Sequence, residues 1–120
     1  MMRLALFGQT GQVATEVQRR VLPGVALTVL GREAVDFADP ASVQRTAASL
    51  DVDAIINAVA YTAVDKAEEE RDLANTINGA AVEAIGKASA DTNTPLIHIS
   101  TDYVFPGTGE TPWTPDADTD

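Results

Sequence analysis

The 120-residue sequence predicts an α/β fold with a doubly wound parallel sheet. Three observations predict it: short, almost wholly apolar runs, stretches of helical spacing between them, and a glycine turn after the first run. Apolar runs without polar alternation suit strands covered on both faces, as parallel strands are. Strand, helix and strand in repetition imply right-handed crossovers, and such sheets bind ligands outside the carboxyl ends of their strands. One domain over residues 1–120 is expected, because the length suits a single core.

The runs are RLALF (Arg3–Phe7), VALTVL (Val25–Leu30), DAIINAVA (Asp53–Ala60) and PLIHIS (Pro95–Ser100). A first helix is expected from about Gly11 to Leu22, with Val13, Val17 and Val21 on one stripe, ended by Pro23-Gly24. Asp39-Pro40 opens a second, since Asp caps well and Pro suits the first helical position. From Asp65 to about Ala90 the spacing predicts a longer helical stretch, bent or broken near Asn75–Gly79. After Gly107 the composition shifts to Pro, Thr and Asp and reads as loop.

A net charge of −10 disfavours phosphate backbones and anionic lipid, and Arg19-Arg20 is the only basic doublet. Neither nucleic acid nor membrane is an expected partner. A discrete anion held by backbone N–H groups needs no net positive charge, so it stays open. Cysteine is absent, which excludes disulfides and thiolate metal sites. LALF is too short for a signal segment, and a soluble cytoplasmic protein is the expectation.

At the end of the first strand stands FGQTGQVA. Gly8 permits a tight turn, Gly11 permits close approach of a pyrophosphate, and small Ala14 lets the helix pack near the sheet. The amides of Gly11, Gln12 and Val13 would hold the anion at the helix N-terminus. A plain strand-to-helix turn is the bland alternative, but the position at the first strand of a strand–helix–strand unit favours dinucleotide binding. An NAD site usually places an acid at the end of the second strand, where Leu30-Gly31 stand here, followed by Arg32. Arg32 suits a 2′-phosphate, so NADPH is preferred to NADH; a solvated loop arginine is the competing reading. Downstream, Asp36 offers a carboxylate to an adenine amino group and Phe37 a ring to its face.

Past the third strand, small Ala58 and Ala60 leave room for a cofactor to cross, and Tyr61 and Thr62 offer bonds to its ribose. Ala-rich strand ends also occur simply for close helix packing. Glu68-Glu69-Glu70 read as a solvated helix face with Lys66 pairing Glu70 one turn away, not as a metal site. His98 reads as a strand residue without an evident partner. Ser100, Thr101 and Asp102 close the last strand, where a hydroxyl would sit beside a nicotinamide and donate to a ketone oxygen. A Ser/Thr/Asp turn is the alternative.

Taken together, FGQTGQVA, NAVAYTAVDKAE and HISTDYVFPGTGETPW resemble the bacterial dTDP-4-dehydrorhamnose reductases of the extended short-chain dehydrogenase/reductase superfamily. The likeness implies a Rossmann-like fold, NADPH or NADH as cofactor, and reduction of the 4-keto group of a dTDP-deoxyhexose to dTDP-L-rhamnose. It also implies that Gly11, Gln12, Val13, Asp36, Phe37, Ala60, Tyr61, Thr62 and Ile99 line the cofactor path. By the same resemblance Thr101 matches the catalytic Ser/Thr, and Thr101 and Asp102 touch the sugar. The family's Tyr-x-x-x-Lys pair is not in this sequence: Tyr61 is followed four residues on by Asp65, and Tyr103 by Gly107. The chain is therefore expected to be the N-terminal cofactor half of a longer reductase, cut after about four strands and inactive alone. Such a half would self-associate through an uncovered sheet edge or apolar face. A competing reading is a non-catalytic binding module, similar to the regulatory subunit of methionine adenosyltransferase, which shares the DYVF strand end; GETPW favours the reductases.

Overall fold

The computed structural model describes residues 1–101 and 104–119. Its elements follow the predicted alternation: β1 (Met2–Phe7), α1 (Gln12–Arg20), β2 (Val25–Leu30), α2 (Pro40–Ala48), β3 (Ala54–Asn57), α3 (Val64–Glu69), α4 (Arg71–Asn75), a π turn (Thr76–Ala80), α5 (Ala81–Thr92) and β4 (Leu96–His98). All described pairings are parallel, in the order β2-β1-β3-β4, with Leu6 opposite Val29 on one side and Ile56 on the other. The chain steps outward from β1 to β2, then crosses back to β3 and β4, so β1 and β3 flank the point where the winding reverses. The Rossmann-like α/β fold expected from the sequence is the one observed.

Alternation along the strands divides the sheet into two faces. Ala5, Phe7 and Ile55 point to the face covered by α2 and α5, where they meet Val43, Ala47, Ala81, Ala84, Ile85 and Ala88. Alanines along α5 present little bulk, which lets the helix lie close to α2. Asp39 caps α2 through the Ser42 amide at 3.4 Å, with Pro40 at the first position, as the sequence suggested. Asn93 closes α5 in the left-handed conformation.

Leu4 and Leu6 point to the other face, which α1 covers only in part. Ala14 is fully buried there, but Val13 and Val21 are 41% and 39% exposed. With Val17, Leu4, Val25 and Leu27 they line an apolar depression of about 590 Å³. Beyond it Ile97 on β4 is 55% exposed. This corrects the expectation that every strand is covered on both faces: β4 is an edge strand with one open side.

Boundaries also differ from the sequence reading: the last strand spans Leu96–His98 and stops short of Ser100. The helix α1 stops at Arg20, leaving Val21 and Leu22 in the connection. The third strand ends at Asn57, three residues before Ala60, because Val59 N–H turns to the Asn57 side chain instead of continuing a ladder. The long helical stretch breaks at Glu70 (φ −117°, ψ 50°), and the Asn75–Gly79 region is a π turn that keeps helical backbone angles at its ends. Among the described residues no helix is long and apolar enough to cross a membrane.

Candidate functional site

The four strand ends are laced along the carboxyl edge of the sheet. Gly8 N–H donates to Leu30 C=O at 3.0 Å, Ala58 N–H to Phe7 C=O at 2.9 Å, and Ile99 N–H to Asn57 C=O at 3.3 Å. The described residues among those singled out in the sequence fall on this edge and in the loops that leave it.

Gly8 has a φ of +120°, and a Cβ there would lie 3.3 Å from the Ala14 Cβ and 3.5 Å from the Ala58 carbonyl. Backbone angle and lack of space both demand glycine, and they bring α1 close to β1. Gly11 is the N-cap of α1, and no side chain caps the helix. A Cβ at Gly11 would meet nothing within 4 Å. The start of α1 thus has no side-chain cap and open space beside Gly11, and helix starts of this kind suit an anion. Gln12 and Val13, both exposed, belong to this first turn. Gln18 steadies it: its side-chain amide donates to Gln9 C=O at 2.8 Å and Ala14 C=O at 3.0 Å.

At the end of β2 the carbonyl of Gly31 accepts from Ala34 and Val35, and the exposed Arg32 rides on that turn. Asp36 accepts the Ala38 amide at 2.9 Å through Oδ1, so part of its carboxylate shapes the loop. Phe37 departs from expectation. Its side chain is 7% exposed and meets Phe7 edge-on, with ring centroids 5.7 Å apart. The ring anchors the loop to the core and does not present a face to an adenine.

The end of β3 is organised by Asn57, which is 1% exposed. Its Oδ1 accepts from Val59 N–H at 3.1 Å and its Nδ2 lies 3.2 Å from His98 Nδ1. Since Oδ1 is the acceptor, Nδ2 must be the donor, and His98 must offer an unprotonated Nδ1; its proton is assigned to Nε2. His98 therefore has a partner after all. One buried amide ties β3, β4 and the start of the Ala58–Thr62 crossing together.

Ala60 and Thr62 are exposed along that crossing, with Tyr61 between them half-buried. Asn78 in the π turn brackets the Tyr61 backbone, accepting its N–H at 2.8 Å and donating to its carbonyl at 3.1 Å. The Tyr61 hydroxyl donates to Glu70 Oε2 at 2.9 Å, so its one proton is used within the fold. Partial desolvation, and then the Glu70 carboxylate, push the Tyr61 phenol above its ordinary value. The Lys66–Glu70 pair read from the sequence is present at 3.7 Å. Ile99 and Thr101 are exposed just beyond β4. Asp102 lies outside the described residues.

Asn57, Glu70 and Asn78 are the residues that sequence reasoning missed in these roles. A lone Asn in an apolar strand run was a signal for the first; the other two are partners of Tyr61 across 9 and 17 positions, beyond any local pattern. Chemically the edge offers an anion cradle, a small-residue crossing and hydroxyls at the last strand end.

The family model described as RmlD substrate binding domain matches residues 2–120. The chain is 50% identical over 116 residues to dTDP-4-dehydrorhamnose reductase of Salmonella typhimurium, a match covering 93% of this chain and 39% of that protein. In structure it is similar to a dTDP-4-dehydrorhamnose reductase from Clostridium acetobutylicum, with 29% identity, a TM-score of 0.90, and 99% and 43% of the two chains covered. It is also similar to the Bacillus anthracis reductase solved in complex with NADP, at 33% identity and a TM-score of 0.81, covering 89% and 39%. The chain spans about two fifths of the length of these relatives. Because the match runs through every strand of the sheet and every loop of its carboxyl edge, the chain belongs to the dTDP-4-dehydrorhamnose reductase (RmlD) family.

Proposed function

We propose that this chain is the coenzyme-holding part of a reductase that converts dTDP-4-dehydrorhamnose to dTDP-L-rhamnose with NADPH or NADH. The observation that carries the reading is the open, uncapped start of α1 beside Gly8 and Gly11. The NADP named for the Bacillus anthracis relative supports it at 33% identity.

In this reading the amides of Gly11, Gln12 and Val13 take the diphosphate, drawing on the partial positive charge of the helix start. Arg32 stands at the end of β2 for a 2′-phosphate, and its charge favours NADPH over NADH. Asp36 offers the adenine its carboxylate, while Phe37 holds that loop against the core. Ala60, Tyr61 and Thr62 form the crossing, and Ile99 its far wall. When bound, the coenzyme supplies a hydride to the ketone carbon. Thr101 donates a hydrogen bond to the ketone oxygen, where negative charge develops, and Asp102 helps to orient the sugar.

No Tyr-x-x-x-Lys proton donor exists in these 120 residues, and the Tyr61 phenol is engaged by Glu70. General acid catalysis is worth roughly two to four powers of ten in rate. The chain by itself is therefore expected to bind coenzyme without measurable turnover of the ketosugar. The test is an NMR titration with NADPH, following the amides of Gly11, Gln12 and Val13. Shifts concentrated there support the reading, and unmoved resonances overturn it.

A further inference from the structure

Three hydrogen bonds tether Tyr61: its N–H donates to Asn78 Oδ1 at 2.8 Å, its carbonyl accepts from Asn78 Nδ2 at 3.1 Å, and its phenol donates to Glu70 at 2.9 Å. Glu70 stands where α3 gives way to α4, in a non-helical conformation that serves as C-cap to one helix and N-cap to the other. From there its second carboxylate oxygen faces the Lys66 ammonium at 3.7 Å. Asp65, Lys66, Glu68 and Glu69 on α3 are all exposed. The phenol–carboxylate bond therefore joins the coenzyme crossing to the break between the helices.

We infer that Glu70 is a positioning residue for the coenzyme: by accepting the Tyr61 phenol proton at the α3–α4 break, its carboxylate holds the Tyr61 ring and orders the Ala60–Thr62 crossing before the ligand arrives. This rests on the coenzyme reading above. The physical reason is entropic. A side chain and loop that must be ordered on binding weaken affinity, whereas one already held does not. Asn78 alone fixes the Tyr61 backbone but leaves its ring free to rotate about two torsions. With the phenol bound to Glu70, Tyr61 contributes its ring wall and backbone to the site, and its hydroxyl serves the protein.

The test is fluorescence titration of the chain with NADPH for the wild type, Glu70→Ala, Glu70→Gln, Tyr61→Phe and the Glu70→Ala/Tyr61→Phe double variant, with thermal unfolding alongside. Glu70→Ala and Tyr61→Phe are each expected to weaken NADPH binding about three- to tenfold. The double variant should bind no more weakly than either single one, because both remove the same bond. Glu70→Gln keeps an acceptor oxygen and should bind within about twofold of the wild type, and the losses in affinity should not track the small differences in unfolding midpoint across the series. Should Glu70→Ala fail to fold, Tyr61→Phe, which keeps the ring, decides the matter. Wild-type affinity in both single variants, additive losses in the double variant, or losses that merely follow the unfolding midpoint overturn the positioning role alone. A wild-type chain that does not bind NADPH overturns the coenzyme reading and this inference with it.

Discussion

The two faces of the sheet teach different things. On one, α2 and α5 close over Ala5, Phe7 and Ile55 with small and branched apolar side chains, and the core residues there are almost fully buried. On the other, α1 covers β1 and β2 loosely, leaving Val13, Val21, Ile97 and Ile99 partly in solvent. Apolar content does not separate them. The difference is whether a second helix lies beside the first: α2 and α5 share one face, whereas α1 among the described elements covers the other alone. The dense face holds the loops in place, and the carboxyl edge that they frame carries the candidate site.

That contrast can be broken by mutation. Phe7→Ala removes a fully buried ring from the dense face and is expected to cost about 3–5 kcal/mol in urea unfolding. Val21→Ser on the open face should stay within about 0.5 kcal/mol of wild type. Equal losses at both positions would show that the two faces are packed alike.

A second expectation concerns the edge between them. Asn57→Ala removes a buried amide and leaves the Val59 N–H and His98 Nδ1 without the partner it gave them, at a cost of about 1–3 kcal/mol. Because the same amide joins the last two strands, the variant should also broaden the amide resonances of Ile99 and Thr101. Unchanged stability would mean that water replaces the amide readily.

The open face sharpens the comparison in another way. We expect the chain to self-associate there, through the exposed side of β4 with Ile97 and Ile99. Ile97→Lys should raise the dissociation constant roughly tenfold in sedimentation velocity, as befits the partial burial of one aliphatic side chain. A wild-type chain that stays monomeric at high concentration would remove this expectation.

The smallest effects are electrostatic. The Arg3 backbone N–H, then its guanidinium, hold the Asp53 carboxyl below its usual range at the start of β3. Its stabilising contribution is present above the unfolded value near ~3.9 and is lost as pH falls through the lower folded value. Tyr61 works at the other end of the scale. Its phenol is raised, so its contribution is complete below about pH 10 and is lost as pH climbs through the folded value. Urea midpoints of wild type against Asp53→Asn in acid, and against Tyr61→Phe in alkali, should converge outside those limits. Parallel pH curves for wild type and variant would contradict these assignments.

Much of this was legible in the chain. VALTVL reads as a strand and is one, residue for residue; Asp39-Pro40 opens a helix as its chemistry requires; and FGQTGQVA sits where β1 hands over to α1. These features depend on neighbours in sequence, through hydrogen-bonding propensity, backbone sterics and apolar spacing. Phe37 was misread because its exposure is set by Phe7, thirty positions away. Glu70 was read correctly as the partner of Lys66, one turn away, but its bond to Tyr61 crosses a loop and a helix.

The amino-acid sequence by itself determined the order of strands and helices, the glycine turn and the edge on which a ligand would lie. All of these follow from short-range preferences repeated along the chain. Only the tertiary structure decided that Phe37 faces inward, that Asn57 bonds His98 across two strands, and that Glu70 takes the phenol of Tyr61. Each of those outcomes is a choice among partners brought together by the folded chain, and a one-dimensional pattern carries no measure of that proximity.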